Sequence, residues 1–318
     1  MHLRTKNNNP PVVSVIMLTY NHERFIASAV RSVLSQTYKN IDFSIIDDCS
    51  KDRTKQILEQ IYQDNPELNL ILNDKNFGIG SSVNSALKMA KGKYVKIVAG
   101  DDFIFPDAIQ QQVDILEKTP HASFCYTNMY WTWRLNTFLR VRVKHYGFFQ
   151  KRADSVQSII NDCTITIPTL MFRNLTLKNS LFKNHYDRLA DLALLLKLLE
   201  LGPGVYLNKI TVQYNRHDQN QSKLNSLYEE RINLKKEMTR EGSIYQDLSF
   251  KEFDKLILYS LQHELIKIDE TKKCLDVTVN LTKNSFKSVK WFIRVTSAWF
   301  VFFRHIFKLN FINFNRDH

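Results

Sequence analysis

Residues 12–47, "VVSVIMLTYNHERFIASAVRSVLSQTYKNIDFSIID", decide the fold. Residues 12–18 form a compact β-branched run, residues 24–36 space their apolar side chains as a helix does, and residues 41–47 make a second strand. Working outward, residues 52–63 predict a second amphipathic helix and residues 68–73 a third strand. Residues 79–92 predict a helix ending at Gly92, and residues 93–100 a fourth strand. Strands alternating with helices over so short a distance predict right-handed βαβ units and a parallel sheet.

Ligands on such sheets bind beyond the carboxyl ends of the strands. The first strand ends in Thr19-Tyr20-Asn21, the second in Asp47-Asp48, the third in Asn73-Asp74 and the fourth in Gly100-Asp101-Asp102. All four ends therefore bring polar groups to one edge. The fourth, "KIVAGDDFIF" (96–105), passes through a glycine from a strand expected to be buried apart from Lys96 into two adjacent carboxylates. Gly and Asp are ordinary turn residues, so a surface turn is one reading. A divalent cation held at the end of a parallel strand is the other. Asp47 and Asp48 likewise admit a turn with Ser50, and Asp52 a cap on the second helix. The first βα loop lacks GxGxxG and no GxxxxGK[ST] occurs, so neither a dinucleotide fingerprint nor a P-loop is present.

At 318 residues, with 44% hydrophobic and 12% aromatic residues, the chain is globular and large enough for a substantial core. Cys49, Cys125, Cys163 and Cys274 are scattered without a CxxC pair, which argues against a zinc site or a disulfide framework and suits a reducing compartment. "MHLRTKNNNPP" lacks the apolar core of a signal peptide, so a cytoplasmic location is expected. The net charge of +12 is uneven: residues 1–125 balance 14 basic against 14 acidic side chains, and residues 121–153 and 283–318 each carry an excess of six positive charges. Such stretches suit phosphate-rich partners, or serve as a solvated face.

Beyond residue 120, strands are expected at 122–131, 137–145 and 204–217, with an apolar stretch at 165–173 and a strong helix at 191–202 closed by Gly202. After Gln221 the pattern is mainly helical.

"VSVIMLTYNHERFIASAVRSVLSQTY", "IDFSIIDDCSKDRT" and "NFGIGSSVNSALKMAKGKYVKIVAGDD", in that order, resemble the nucleotide-binding half of the family 2 glycosyltransferases, which have a GT-A fold. The likeness is nearly unbroken from Pro11 to Asp107 and returns as islands at 185–222. It implies an α/β protein with a Rossmann-like, mainly parallel central sheet flanked by helices and a mainly helical C-terminal extension. The GT-A domain would be 1–222, with a nucleotide-binding half at 11–107 and an acceptor half at 108–222, and the extension 223–318. By the same resemblance Thr19, Tyr20 and Asn21 fall at the nucleotide, Asp48 at the uracil imide, Asn84 at the pyrophosphate or base, and Asp101 at the ribose. Asp102 falls on the metal ligand, Asp191 of "RLADLALL" on the catalytic base, and His217 of "YNRHDQNQS" near the metal or diphosphate. Two positions depart from the family pattern, Ala99 and Val83.

The implied reaction is inverting transfer from a nucleotide sugar, UDP-linked, to a glycan or lipid-diphosphate-linked acceptor in bacterial surface-polysaccharide synthesis, such as O-antigen or capsule. Oxygen ligands from Asp suit Mg²⁺ or Mn²⁺, which stabilises a leaving diphosphate. The attacking hydroxyl must lose a proton, which calls for a carboxylate such as Asp191. Without the resemblance, Asp191 reads as an N-terminal helix carboxylate favoured by the macrodipole. A sugar nucleotidyltransferase would show a Gly-rich first loop absent from "LTYNHERF". A non-catalytic nucleotide-binding module would have no use for Asp191 beside Asp101 and Asp102. No nucleic-acid-binding motif is present.

Residues 287–308, "KSVKWFIRVTSAWFVFFRHIFK", are too polar to span a bilayer. As a helix they put Lys287, Lys290, Arg294, Arg304 and Lys308 on one side and Trp291, Val295, Trp299, Phe302 and Ile306 on the other. Such a helix lies in an anionic membrane interface or packs on the protein's own core. The first alternative places the protein peripherally on the inner face of the plasma membrane.

Overall fold

The first strand, β1 (Val13–Thr19), is buried throughout except at Leu18. Helix α1 (Ile26–Leu34) turns Ile26, Ala29, Val30 and Val33 inward, the 3–4 spacing of the sequence. A parallel β2 (Ile41–Asp47) pairs from Val13↔Ile41 to Thr19↔Asp47. The next units are α2 (Thr54–Asp64), β3 (Asn69–Leu72), α3 (Ile79–Met89) and β4 (Tyr94–Ala99). β3 adds outside β2, and β4 pairs with the other edge of β1 up to Leu18↔Ala99. The expected parallel sheet is thus β3-β2-β1-β4, with its carboxyl ends in register. A computed structural model describes residues 9–135, 138–144, 165–174, 186, 189–216 and 227–238 of the chain.

Past β4 the sheet becomes mixed. The remaining elements are β5 (Phe103–Ile104), α4 (Ala108–Lys118), β6 (Phe124–Leu135), β7 (Phe138–Lys144), β8 (Leu170–Arg173), α5 (Ala190–Leu201), β9 (Gly204–Arg216) and α6 (Leu227–Met238). β8 joins antiparallel to β4 and β6, β9 runs parallel to β6, and β7 pairs antiparallel with the far half of β6. The two-residue β5 pairs antiparallel with β9 through Phe103↔Gln213 and Ile104↔Val212. That short ladder holds the residues just after Gly100 against the end of β9.

One expectation needs correction, and it turns on the apolar stretch 165–173, where Ile167–Thr169 forms a 3₁₀ turn and Leu170–Arg173 is strand. Pro168, with no N–H and a fixed φ, cannot join a ladder there. Lys96 is not the exposed exception in β4 but is fully buried. Its Nζ donates to Pro168 O at 2.8 Å and Leu170 O at 3.3 Å, so the irregular turn supplies the acceptors that a buried ammonium needs.

The chain separates into two compact units, Met1–Asp247 and Leu248–His318, and every described residue belongs to the first. Residues 287–308 lie outside the described residues, so the amphipathic-helix expectation falls there. Among the described residues no helix is long and apolar enough to cross a membrane.

Burial lowers the Lys96 pKa from 10.5 to about 8, and no carboxylate pairs with its ammonium among the described residues. The unfolded chain keeps this proton up to pH 10.5, whereas the folded chain gives it up near pH 8. Between those values the unfolded state binds more protons, so raising the pH favours folding. Denaturant titrations should show wild type gaining on Lys96→Met by about 1.4 kcal/mol per pH unit across that window. A pH-independent difference would mean that Lys96 titrates normally.

Candidate active site

The carboxyl edge is assembled by loops that bind one another. Asn21 has φ +57° and Cys49 φ +64°, left-handed conformations that turn both loops sharply. Asn21 N–H donates to Ser50 Oγ at 2.9 Å, and Asn21 Oδ1 accepts Lys51 N–H at 2.7 Å. One residue on, His22 N–H donates to Thr54 Oγ1 at 2.8 Å. Asp52 lies one residue before Arg53, the residue flanking α2, and its carboxylate accepts the N–H of Thr54, the first helical residue, at 2.9 Å. It also accepts Glu23 N–H at 3.0 Å, joining the two loops.

The two acids of "IDDCS" divide their work. Asp47 makes the turn, accepting both the N–H and the hydroxyl of Ser50. Asp48 points to the third βα loop, accepting Asn73 Nδ2 at 3.0 Å, Phe77 N–H at 2.9 Å and Gly78 N–H at 2.8 Å. An ionised carboxylate has about four acceptor sites, so these three bonds leave capacity for one more donor.

Gly100 explains how β4 can run into paired charge. A Cβ there would stand 2.5 Å from Thr19 Oγ1, 2.6 Å from Thr19 Cβ and 3.0 Å from His22 Nδ1. Only glycine lets the Thr19–His22 pair, at 3.1 Å, lie against the turn. His22 Nε2 in turn sits 3.7 Å from Asp101 Oδ2. From the opposite side Asn215, delivered by the β5–β9 pairing, donates through Nδ2 to Asp101 O at 2.6 Å and through its N–H to Asp102 Oδ1 at 3.2 Å. Thr132 Oγ1 and Gln213 Nε2 donate to Asn215 Oδ1 at 2.6 and 3.0 Å and fix its amide orientation. Neither His22 nor Asn215 stands out in the sequence as a site residue.

Asp102 is 3% exposed, and its Oδ2 has no hydrogen-bond partner among the described residues. Burial, then the charge of Asp101, and more weakly that of Asp191 hold its carboxyl well above the usual carboxylate range. A buried, unpaired carboxylate oxygen beside two further carboxylates is costly unless a cation or a proton meets it. The donor set therefore fits a hard divalent cation. Among the described residues no group of three or more His, Cys, Asp or Glu side chains is arranged to hold a metal ion. A cation at Asp102 would complete its coordination with water and substrate oxygens, as Mg²⁺ does at phosphate sites.

Asp191 lies half-buried in the first turn of α5, and its Oδ2 accepts Ile167 N–H at 3.4 Å. Of the remaining sequence candidates, Thr19 is buried, Tyr20 is 40% exposed at the mouth of the edge, and Asn84 is half-buried on α3. His217 lies outside the described residues.

A mixed sheet whose parallel half ends in an acidic turn, flanked by helices, defines the class: a GT-A fold. Residues 14–176, just over half of the chain, match the Glycosyl transferase family 2 model, and the chain belongs to that family. Among solved structures it resembles S. aureus TarS 1–349 in complex with UDP-GlcNAc, at 23% identity and a TM-score of 0.60, over 79% of this chain and 72% of that one. It also resembles the mannosyltransferase PcManGT from Pyrobaculum calidifontis in complex with GDP-Man and Mn²⁺, at 16% identity and a TM-score of 0.52, over 92% and 86% of the two chains. Chondroitin synthase of Escherichia coli is 31% identical over 214 residues, 67% of this chain and 30% of that protein. An uncharacterized glycosyltransferase of Rickettsia typhi is 28% identical over 219 residues, 67% of this chain and 66% of that protein. The putative glycosyltransferase EpsE of Bacillus subtilis is 41% identical over 125 residues, 38% of this chain and 44% of that protein. In each of these three relatives the match covers less than two thirds of the relative's length.

Gly100→Ala should push Thr19 and His22 off the acidic turn. Overpacking of this kind costs about 1–3 kcal/mol of stability. Calorimetric titration with UDP and Mn²⁺ should show weaker binding; unaltered stability and affinity would mean that the turn yields freely.

Proposed function

We propose that this protein is an inverting, metal-dependent glycosyltransferase that moves a sugar from a UDP-linked donor to a glycan or lipid-diphosphate-linked acceptor. The observation that carries this is the orphaned Asp102 carboxylate oxygen, next to Asp101 and under the electrostatic influence of Asp191, at the carboxyl edge of a family 2 chain.

Each side chain then has a task. Asp48, an acceptor held in place by three donors, takes the imide N–H of the uracil base, with Thr19 and Tyr20 lining the pocket. Asn21 shapes that pocket through its bonds to Ser50 and Lys51, and Asn84 faces the donor from α3. Asp101, steadied by His22 and Asn215, meets the ribose. Asp102 would hold Mn²⁺ or Mg²⁺, which when bound offsets the negative charge of the leaving diphosphate. Asp191 accepts the proton of the acceptor hydroxyl while the acceptor oxygen bonds to the anomeric carbon. The bond from that carbon to the diphosphate oxygen breaks, and the nucleoside diphosphate departs. Attack opposite the leaving group inverts the centre, so an α-linked donor gives a β-linked product.

A role in bacterial surface-polysaccharide assembly is supported by the likeness to chondroitin synthase and to hyaluronan synthase of Pasteurella multocida, 28% identical over 255 residues, although the latter match covers only 25% of that enzyme. Peripheral attachment to the inner face of the plasma membrane through residues 287–308 belongs to the same proposal and suits a lipid-linked acceptor. Nucleic acid has no part in it.

A panel of nucleotide sugars, scored by nucleotide release with Mn²⁺ and with EDTA, tests the reading; release from none, or release indifferent to EDTA, refutes it. Asp191→Asn should bind UDP and Mn²⁺ as wild type does yet lose turnover by roughly 10²–10⁴-fold, because an amide cannot take the proton. Near-normal transfer by the folded variant would remove Asp191 as the base. Asp102→Ala should abolish the gain in UDP affinity that Mn²⁺ provides.

A further inference from the structure

The inward face of α6 carries acids where a packed helix ordinarily carries apolar groups. Glu230, Leu234, Glu237 and Met238, spaced four, three and one apart, are all buried. Buried carboxylates need dedicated partners. Glu237 Oε2 accepts the hydroxyl of the fully buried Tyr186 at 2.7 Å, and its Oε1 lies 3.4 Å from Lys197 Nζ on α5. Glu230 Oε2 accepts Leu189 N–H at 3.2 Å.

Leu189 is the residue that opens α5, and its side chain makes no cap hydrogen bond. In a capping box the N–H of this residue is taken by a glutamate three positions later. Here that position is Leu192, and the acceptor comes from Glu230, 41 residues away. Asp191, two residues past the cap, accepts Ile167 N–H. The Tyr186 anchor reaches the donor side as well. A Cβ on Gly80 would stand 2.5 Å from Tyr186 N, so α3 touches this segment directly. The Gly78 N–H that holds Asp48 lies two residues earlier.

We infer that Glu230 is a positioning residue for the catalytic base: it caps α5 from outside and fixes the turn that carries Asp191, with Glu237, Lys197 and Tyr186 as the second anchor. Helix α6 is then part of the catalytic unit. A buried ion pair is weak grounds for added stability, since apolar isosteres often do as well. Its use here is to fix one placement of α5 against α3. This inference rests on Asp191 acting as the base.

The test uses the full chain, UDP release from a panel of UDP-sugars, and calorimetry with UDP and Mn²⁺. Glu230→Gln keeps an acceptor oxygen at the same reach and should stay within about threefold of wild-type kcat. Glu230→Asp retracts the acceptor by one methylene, and Glu230→Leu removes it. Both should lower kcat by roughly 10–100-fold, the scale of a misplaced catalytic group, with UDP affinity unchanged within about twofold. If Glu230→Leu does not fold, the Asp and Gln variants decide the matter. Full turnover by Glu230→Asp overturns the inference, as does Glu230→Gln falling as far as Glu230→Asp, or UDP affinity falling in step with kcat. Asp191→Asn runs in parallel. If it releases UDP like wild type, the base assignment itself fails; if it alone is impaired, only the role of Glu230 fails.

Discussion

The closeness of β4 to β1 at their carboxyl ends governs the rest of the site. Thr19, Asp47 and Ala99 end their strands side by side, and Gly100 N–H donates to Leu18 O at 2.8 Å. With no side chain at Gly100, Thr19 and His22 press directly on the turn, and Asp101 comes within reach of His22. A bulkier residue would separate β1 from the acidic pair and dissolve the link between the first loop and the fourth strand end. The Asn21–Ser50 and Asp48–Gly78 bonds extend the same edge to the second and third loops.

The acids gathered there oppose one another, and the fold holds them together regardless. Asp101 and Asp102 are adjacent and buried, and Asp191 adds its own charge to the field at Asp102. Such an arrangement stores electrostatic strain that a cation or a proton would relieve. The β5–β9 ladder, only two residue pairs long, is what keeps Asp102 from turning to solvent, because it carries Asn215 to the Asp101 carbonyl and the Asp102 carboxylate. A short ladder at the edge of a sheet is a weak element in isolation. The side-chain bonds of Asn215 to Thr132 and Gln213 tie it to the longer strands.

The first hundred residues were legible because their chemistry is local. Strand runs, helical spacing and turn residues each speak over a dozen positions, and the parallel sheet follows from the βαβ connections, whereas the order β3-β2-β1-β4 comes from the structure. Asp102 and Asp191 were marked as candidates by the resemblance of their short motifs. His22 and Asn215 were not, because their roles come from contacts made at the site: His22 bridges Thr19 and Asp101, and Asn215 reaches Asp101 across more than a hundred residues of chain. Lys96 was misread for a related reason. A lysine in a strand signals an exposed face, unless a distant 3₁₀ turn offers carbonyls to its ammonium, and nothing near residue 96 announces that turn.

Helix α6 carries the same lesson to the boundary of the domain. Hydrophobic periodicity finds a core face by its apolar residues, so it gives no sign that α6, in the expected C-terminal extension, buries Glu230 and Glu237. Its partners show why those acids are inside: a helix N-terminus whose first residue makes no side-chain cap, a buried lysine on a largely apolar helix, and a tyrosine hydroxyl. Each of the three gains a partner from α6, and each lies close in sequence to Asp191. The polar face of α6 and the apolar sequence of α5 are therefore two halves of one design, in which the helix bearing the candidate base depends for its placement on residues well past the last strand of the sheet.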